Sequence, residues 1–292
     1  MNKRRENLTG WLFVAPMLIA FLIFIAFPFL ASIGLAFTEW NFIGGWERLK
    51  WVGMKNFLKL IDDYRFIQAI QNTFVYAITT VPTSILLALG LANLLNNRVF
   101  FKKILRMAFF IPYISNTVAL AAVFKFLFNR EGIINRALHS AFGTEAIDWI
   151  TDPSFNKVPI ILLVIWTALG YELVIYMAAL QDVPRDLYEA ADIDGASGWT
   201  KFWKITFPMI SPTTFYLCIV RFISVFKLFS AVNIITMGTT QASNTSIVQG
   251  IYSSAFGSYE FGYASAQATV LFVLILLITL FQFWAQKKWV NY

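Results

Sequence analysis

The 292-residue chain has very few of the side chains on which enzymes and metal sites depend. It contains one cysteine, Cys218, and one histidine, His139. A single cysteine cannot form a disulfide within the chain or supply a cysteine-based metal site. We expect the isolated histidine to be structural or exposed rather than catalytic. The sequence also lacks a GxxxxGK[ST] phosphate-binding loop, so any ATP chemistry must come from another polypeptide.

Charged residues are scarce as well, and their scarcity points to a class of protein. Only 13% of the residues are charged, whereas 58% are hydrophobic, and the mean hydropathy is +0.64. These values lie outside the range of soluble globular proteins and within that of polytopic membrane proteins. The net charge is +7, but Lys and Arg gather at the ends of apolar segments without interleaved aromatics, so we expect no nucleic-acid partner.

Six apolar segments are long enough to cross the hydrocarbon core of a bilayer, which takes about 20 helical residues. They lie near 12–37, 70–95, 107–128, 158–180, 207–235 and 264–285. The first is too long for the core of a signal peptide and lacks a convincing cleavage site, so we predict that it is a span of the mature protein. The sequence therefore predicts an all-α, polytopic membrane protein with six transmembrane helices in a single domain over residues 1–292.

Basic residues are distributed unequally between the segments that connect these spans. Twelve lie in segments on the same side as the N-terminus, against eight in the opposite loops. The twelve are Lys3, Arg4, Arg5, Arg98, Lys102, Lys103, Arg106, Arg185, Lys201, Lys204, Lys287 and Lys288. By the positive-inside rule, both termini are expected in the cytoplasm. On the opposite side, residues 38–68 predict an interfacial helix, with Trp40, Trp46 and Trp51 as anchors at the headgroup level.

A polar segment, residues 184–208, separates the fourth span from the fifth. Its first part, VPRDLYEAADIDGA, predicts a short helix with proline in the first turn and Gly195 at its end. A second helical stretch, GWTKFWKITF, leads into the fifth span. From the pattern alone, the segment is either an ordinary amphipathic connector or an element that lays a small-residue face against another protein.

This segment resembles the EAA signature of the membrane-spanning permease subunits of bacterial ATP-binding-cassette importers, in its carbohydrate-uptake version. The matching residues are Glu189-Ala190-Ala191, Asp194-Gly195-Ala196, Phe202, Ile205 and Pro208. The resemblance covers most of the chain. The stretches LFVAPMLIAFLIFIAFPFLASIGLAFTEWNF, NTFVYAITTVPTSILLALGLANLLNN and FFIPYISNTVALAAVFKFLF are similar to sugar permeases related to the larger maltose permease subunit.

The resemblance implies the fold of a type I importer permease and a coupling helix that inserts into a cleft on a separate ATPase subunit. The residues assigned to coupling are Leu187, Tyr188, Glu189, Ala190, Ala191, Asp194, Gly195 and Ala196. The expected partners are a second permease, expected to be a different chain, two ATPase subunits and an extracellular solute-binding protein, in a bacterial inner membrane. The chain itself is then no enzyme and holds no cofactor, because ATP and Mg belong to the ATPase.

The fourth and fifth spans carry the residues expected along the substrate path. A sugar site within a membrane needs aromatic faces, small residues and polar groups near the midplane, and the corresponding helices line the sugar site in the maltose permease relatives. The predicted path comprises Trp166, Leu169, Gly170, Tyr171, Glu172, Leu173, Arg221, Ser224, Val225, Lys227 and Leu228. For the apolar members, the alternative is ordinary helix packing.

Two features depart from the family pattern. Family members usually read TGGGP where this chain reads Thr236-Met237-Gly238-Thr239-Thr240, so this loop is expected to meet the binding protein or the substrate differently. Arg221 lies near the middle of its span, where the family ordinarily has an uncharged residue, and a charge there costs at least about 2.5–3.5 kcal/mol. Two interpretations stay open: Arg221, supported by Lys227, binds an acidic saccharide, or Arg221 forms a structural pair with Glu172.

The depth of the two residues bears on that choice. With a rise of about 1.5 Å per residue, Glu172 lies roughly 12 Å and Arg221 roughly 21 Å from the cytoplasmic helix ends. A direct pair then requires the long arginine side chain to reach back toward the carboxylate.

We therefore expect a permease subunit that imports a saccharide, with an acidic oligosaccharide as the narrower hypothesis. One alternative keeps the machinery and changes the cargo to a polyol, glycerol phosphate or peptide. Another is a self-sufficient secondary transporter, which predicts an inverted repeat with matched broken helices. No convincing repeat is present in the sequence.

Overall fold

The computed structural model describes residues 3–96, 102–239 and 241–290, and these are mostly helical, with almost no sheet. Arg98 and Thr240 lie outside the described residues. The chain separates into two compact units, Met1–Asp63 with Ile251–Phe272, and Tyr64–Gly250 with Val273–Tyr292. The organisation as one permease domain over residues 1–292 stays a prediction.

The first unit begins with the first membrane span. Helix α1 (Lys3–Phe21) continues through a π-turn (Leu22–Ala26) into α2 (Phe27–Leu35), and the segment Thr9–Leu35 is long and apolar enough to cross a membrane. No residue in its most apolar 18-residue window is buried within the described chain. The apolar side chains of this span therefore depend on lipid or on another chain for cover.

The rest of the first unit is a small region of short elements. Strands β1 (Thr38–Glu39) and β2 (Lys50–Trp51) pair in antiparallel fashion, with Thr38 opposite Trp51. Two 3-10 turns (Phe42–Gly44 and Trp46–Arg48) lie between the strands, and α3 (Lys55–Asp62) follows. The buried Asn56 side chain donates to the carbonyl oxygens of Ala36 and Thr38 at 2.8 and 2.9 Å. One side chain thus ties α3 to the end of the first span.

Helix α3 occupies the position of the predicted interfacial helix, but one of its three tryptophan anchors was wrong. Trp40 is only 7% exposed, and its indole nitrogen donates to the Gly45 carbonyl oxygen at 3.0 Å. A buried indole cannot lie among lipid headgroups. Trp51 is exposed and stacks on Phe37, while the side chain of Trp46 lies outside the described part of the chain.

The second unit is a bundle of long helices joined by short ones. Its helices are α4 (Tyr64–Asn96), α5 (Lys102–Ile114), α6 (Thr117–Leu127), α7 (Ile133–Phe142), α8 (Val158–Gln181), α9 (Arg185–Ile193), α10 (Gly198–Lys201), α11 (Phe207–Phe226) and α12 (Ser230–Ile235). By sequence, α13 (Ile247–Tyr252) and α14 (Phe261–Gln286) fall in both units. A π-turn (Phe202–Thr206) joins α10 to α11, and another (Ser253–Gly257) follows α13.

Helix α8 packs against α4, α5 and α11 and forms the centre of this unit. Its fully buried Tyr176 donates a hydrogen bond to Thr214 Oγ1 of α11 at 3.1 Å. On α4, the buried Tyr76 hydroxyl donates to the Asn244 carbonyl oxygen at 2.7 Å. In a chain of this composition, the large aromatic side chains fill the bundle while such bonds satisfy their polar ends.

The third predicted span is not one continuous helix. Helices α5 and α6 meet at an angle of 99°, with Ser115 and Asn116 between them. Asn116 has extended backbone angles, and its side chain caps α6 by accepting from the Val118 amide at 2.8 Å. Asparagine is among the preferred N-cap residues, so the chain ends one helix and starts another here. The described residues therefore hold five candidate spans, or six with this bent pair counted as one.

The fifth predicted span, 207–235, also ends earlier than expected. The membrane-length helical run is Gly198–Phe226, and the chain leaves helical geometry at Lys227 before α12 begins at Ser230. After α12, Met237 and Gly238 both have positive φ, 56° and 74°. Their left-handed backbone turns the chain, which L-residues other than glycine seldom allow.

Candidate functional site

The predicted coupling segment has a defined local structure. Helix α9 begins after Pro184 and ends in a Schellman motif: the Ala196 amide donates to the Ala191 carbonyl oxygen at 2.9 Å, and the Gly195 amide to that of Asp192 at 3.1 Å. Gly195 has a φ of +70°, which this motif requires and which glycine adopts without strain. The DGA stretch of the signature therefore ends the helix at a fixed residue.

Three contacts then attach this segment to the beginning of the fifth span. Ser197 caps α10 by accepting from the Thr200 amide at 3.3 Å. Lys201 forms an ion pair with Asp192. The Tyr188 hydroxyl bonds to Thr206 Oγ1 at 2.8 Å, at the residue from which α11 continues. Helix α9 is therefore attached to the helical run Gly198–Phe226 by side-chain contacts and not only by the connecting chain.

Several side chains of α9 remain without cover in the described chain. Leu187, Glu189 and Ala190 are exposed, and Glu189 makes no ion pair or hydrogen bond with the described residues. Ile193 is 88% exposed and was missing from the predicted set. Its position one turn after Glu189 and Ala190 was the available signal. Tyr188 is half-buried, and its hydroxyl bonds to Thr206 within the chain.

A cavity of about 400 Å³ lies among α5, α6, α8 and α11. Its lining residues are Pro112, Tyr113, Thr117, Thr167, Ala168, Tyr171, Val220, Arg221 and Ser224. The size lies within the range of small-molecule sites. The lining combines two aromatic rings, several hydroxyl groups and one charged side chain, a combination suited to a polar, hydroxyl-rich ligand.

The two aromatic rings of this cavity are Tyr113 and Tyr171, and a third tyrosine, Tyr216, bonds to one of them. The rings of Tyr113 and Tyr171 stack with centroids 5.3 Å apart, and the hydroxyls of Tyr171 and Tyr216 are 2.9 Å apart. Tyr113 belongs to α5, close to the break before α6. The break thus leaves an aromatic face and the hydroxyl of Thr117 beside the cavity.

The charged part of the cavity is joined to a buried carboxylate. Arg221 Nε lies 2.9 Å from Glu172 Oε1, although the Nε–H bond does not point at that oxygen well enough for a hydrogen bond. Ser84 Oγ on α4 donates to the same oxygen at 3.0 Å. Burying either charge alone would cost several kcal/mol, whereas the pair offsets much of that cost. The second interpretation of Arg221, a direct pair with Glu172, is thus realised in the structure.

The structure separates the predicted path residues into two groups. Tyr171, Arg221 and Ser224 line the cavity, and Lys227 lines a neighbouring open cavity of about 520 Å³ with Val220, Ile223 and Ser224. The remaining predicted residues, which do not line these cavities, are Trp166, Leu169, Gly170, Glu172, Leu173, Val225 and Leu228. The roles of both groups in transport stay predictions.

Packing contacts account for most of the second group. Leu169, Leu173 and Val225 are buried, which favours the alternative of helix packing for the apolar members. A Cβ on Gly170 would lie 2.5 Å from the Phe109 carbonyl oxygen, so this glycine allows the close approach of α5. Trp166 packs on Phe124, and the carbonyl oxygen of Leu228 accepts from Ser246 Oγ at 2.6 Å.

Six lining residues lie outside the predicted path: Pro112, Tyr113, Thr117, Thr167, Ala168 and Val220. Three of them lie at the break in the third span, where PYISNT combines proline, serine and asparagine in an apolar segment. That combination indicates a helix break, and broken helices are typical of sites within membrane transporters. Among the described residues, no group of three or more His, Cys, Asp or Glu side chains could hold a metal ion.

The amino-acid sequence matches a known family of membrane transport proteins. The family model of the binding-protein-dependent transport system inner membrane component matches residues 81–290, and the chain belongs to this family. The predicted resemblance to importer permeases is confirmed. The chain is thus an integral-membrane transport subunit, and the family's dependence on a binding protein removes the alternative of a self-sufficient secondary transporter.

Individual proteins are similar over nearly the whole length. The lactose transport system permease protein LacF of Rhizobium radiobacter is 35% identical, over 98% of this chain and 96% of its own. The sn-glycerol-3-phosphate transport system permease protein UgpA of Agrobacterium fabrum is 29% identical, over 98% and 97%.

Two crystal structures of a bacterial alginate transporter are also similar. A chain of a bacterial ABC transporter involved in the import of the acidic polysaccharide alginate superposes with a TM-score of 0.83 and 26% identity, covering 98% of this chain and 99% of that one. A chain of the alginate transporter in complex with an alginate pentasaccharide-bound periplasmic protein has a TM-score of 0.82 and 25% identity, covering 97% and 96%.

Proposed function

We propose that this chain is one of two permease subunits of a bacterial ATP-binding-cassette importer and that its cargo is a saccharide. The observation that carries the importer role is the uncovered face of α9, where Glu189 has no partner among the described residues. The cargo is proposed from the relatives, one named for lactose and one described as importing alginate, together with the tyrosine- and hydroxyl-lined cavity.

The proposed partners follow from the family and from the missing phosphate loop. ATP and Mg are held by two separate ATPase subunits, because the sequence offers no Walker A loop. A solute-binding protein delivers the sugar from outside, and a second permease, a different chain, completes the pathway. The excess of basic residues on the side of the N-terminus supports an inner-membrane location with both termini and α9 in the cytoplasm.

The geometry supports a mechanical role for α9. Motion of an ATPase subunit against the exposed Leu187, Glu189 and Ile193 would be transmitted through the Tyr188–Thr206 bond at 2.8 Å. The helical run Gly198–Phe226 starts in this region and carries Arg221 and Ser224 in its later turns. A displacement of α9 therefore reaches the cavity along one helix, which is the rigid connection that coupling requires.

The coupling role is tested with two glycines that share one backbone geometry. Gly195 and Gly143 both follow a helix with φ of +70° and +66°, and a Cβ on either would meet nothing within 4 Å. Gly195→Trp places a large side chain at the end of α9 and is expected to abolish sugar-stimulated ATPase activity and uptake in proteoliposomes. Gly143→Trp carries the same backbone strain at the end of α7 and is expected to retain both.

A charge variant tests the same face without added bulk. Glu189→Gln is expected to lower uptake by about 10-fold or more, since a charge-assisted contact to the partner is worth about 1.5–3 kcal/mol. The exposed Glu131 supplies the matched control, Glu131→Gln. If Gly195→Trp and Glu189→Gln both support normal uptake in an assembled complex, α9 is not the coupling element.

A second cargo class is favoured by one observation. Lys227 is exposed, makes no ion pair among the described residues and lines the cavity beside Ser224, and one relative is named for sn-glycerol-3-phosphate. The same importer complex would then carry a small phosphorylated polyol such as glycerol phosphate. An unphosphorylated polyol and a peptide are the other alternative cargoes. Uptake assays with the cognate binding protein decide the cargo, because only the correct solute stimulates ATP hydrolysis.

A further inference from the structure

Glu172 lies behind the cavity rather than in it. Its side chain is fully buried, and its Oε1 atom is within 3.0 Å of Ser84 Oγ and 2.9 Å of Arg221 Nε. Its Oε2 atom has no hydrogen-bond partner among the described residues. Side chains from three helices, α4, α8 and α11, thus meet at this carboxylate. It lies behind Arg221, the charged residue that lines the cavity.

Arg221 is paired through a single nitrogen, and this leaves donors for a ligand. Its side chain is 12% exposed, and Nη2 lies 3.5 Å from the Val164 carbonyl oxygen, at the limit of hydrogen-bond distance. Nη1 makes no hydrogen bond with the described residues. A guanidinium grips a carboxylate best through two parallel bonds, and Glu172 does not form that fork. The Nη1 and Nη2 atoms of Arg221 can therefore still donate hydrogen bonds to a ligand in the cavity.

The net charge that Arg221 presents to the cavity depends on Glu172. When the two residues are paired, their charges cancel, and the N–H groups of Arg221 suit the hydroxyl and carbonyl oxygens of a neutral group. A carboxylate on the cargo would compete with Glu172 for the same guanidinium. It would also be repelled by the negative charge of Glu172. Without the negative charge of Glu172, Arg221 would be an uncompensated cation and would attract an anion strongly.

We propose that Glu172 is a specificity-determining residue, which pairs Arg221 and thereby lowers the affinity of this cavity for acidic saccharides relative to neutral ones. This inference rests on the proposed saccharide cargo. The acidic-saccharide hypothesis relied on Arg221 as the residue that binds the carboxylate. If Arg221 is neutralised by Glu172, an acidic group would bind Lys227 instead. Glu172 itself is a positioning residue, because it acts through Arg221 and does not line the cavity.

The test compares a carboxylate with a neutral group of nearly the same shape. The probes are an alginate tetrasaccharide and tetragalacturonate, each as the free acid and as the methyl ester. Their affinities are measured for the assembled permease–ATPase complex in lipid nanodiscs, without the binding protein, which would otherwise select the sugar first. The quantity of interest is the ratio of the acid affinity to the ester affinity in each variant.

Glu172→Gln is nearly isosteric and can still accept from Ser84. It is expected to raise the acid-to-ester ratio by about 10- to 100-fold, the effect of a charge-assisted contact with a freed guanidinium. Arg221→Gln leaves the Glu172 charge uncompensated and is expected to lower the ratio. The double variant removes both charges and should return the ratio to within about threefold of the wild type, because the two effects act through one pair.

Each outcome decides the proposal. An equal fall in both affinities in Glu172→Gln would make the pair purely structural, and an unchanged ratio would remove Glu172 from specificity. Either result overturns the inference. If Glu172→Gln does not assemble, Arg221→Gln carries the test, since a ratio that is not lowered also overturns it. A wild-type complex that binds none of the four probes shows no preference of neutral over acidic groups, and this result would overturn the inference while leaving the proposed saccharide cargo in place.

Discussion

Gly170 of α8 faces the backbone of α5 so closely that a Cβ at this position would lie 2.5 Å from the Phe109 carbonyl oxygen and 2.9 Å from the Phe110 Cα. Both neighbours are backbone atoms, which cannot rotate out of the way. One hydrogen in place of a methyl group therefore sets the separation of two helices that line the cavity.

Gly170→Ala is expected to destabilise the protein by about 1–3 kcal/mol, the usual cost of overpacking. It should also weaken sugar binding, because moving α5 separates Tyr113 from Tyr171. The measurements are thermal unfolding and sugar affinity of the purified complex. Gly90→Ala on α4 is the control, since a Cβ there meets nothing within 4 Å. Equal stability and affinity in both variants would contradict the close approach of α5 and α8.

Gly262 at the start of α14 makes a still closer approach in the first unit. A Cβ on Gly262 would lie 1.9 Å from the Thr38 carbonyl oxygen, which also accepts from Asn56. We expect Gly262→Ala to break this contact and to lower the unfolding temperature of the complex, at a cost of about 1–3 kcal/mol. Gly34→Ala in α2 has free space around its Cβ and is expected to be neutral or slightly stabilising.

Asn116 at the break of the third span should be replaceable only by another capping residue. Asn116→Ala removes the acceptor for the Val118 amide and is expected to cost about 1 kcal/mol. Asn116→Ser keeps a capping oxygen and should recover most of that loss. Hydrogen exchange of the amides at the start of α6 measures the effect, and equal protection in the two variants would contradict a capping role.

The bond between Tyr188 and Thr206 is expected to carry coupling rather than stability alone. Tyr188→Phe and Thr206→Val each remove one partner of the 2.8 Å contact and are expected to reduce uptake per ATP hydrolysed. Because both variants break the same bond, the double variant should be no worse than either single one. Fully additive losses would mean that the two hydroxyls act separately.

The local structure of the predicted coupling segment followed from the sequence because it depends on nearby residues. Pro184 restricts the start of α9, and Gly195 supplies the positive φ of its end, so the helix boundaries follow from residue types a few positions apart. The exposed Ile193 was not assigned to the site, since exposure is decided by what the rest of the chain leaves uncovered.

The helix breaks were harder to predict. Residues 107–128 and 207–235 satisfy the length and hydropathy of a span, and those quantities do not detect a bend. At Asn116 a local signal was present, namely a preferred N-cap residue within an apolar run. At residues 227–229 no comparable signal exists, and the break became visible only with the packing of α12 against α6 and α8.

By itself, the sequence determined that the chain is a polytopic α-helical membrane protein with a polar segment between its fourth and fifth spans, because length, hydropathy and short-range backbone preferences act locally. It left open whether Arg221 was free or paired, and a straight-helix estimate set Glu172 and Arg221 about 9 Å apart in depth. Only the tertiary structure decided this, with Nε and Oε1 at 2.9 Å. Helix tilt, register and the reach of a long side chain together determine that distance, and all three depend on how α4, α8 and α11 pack.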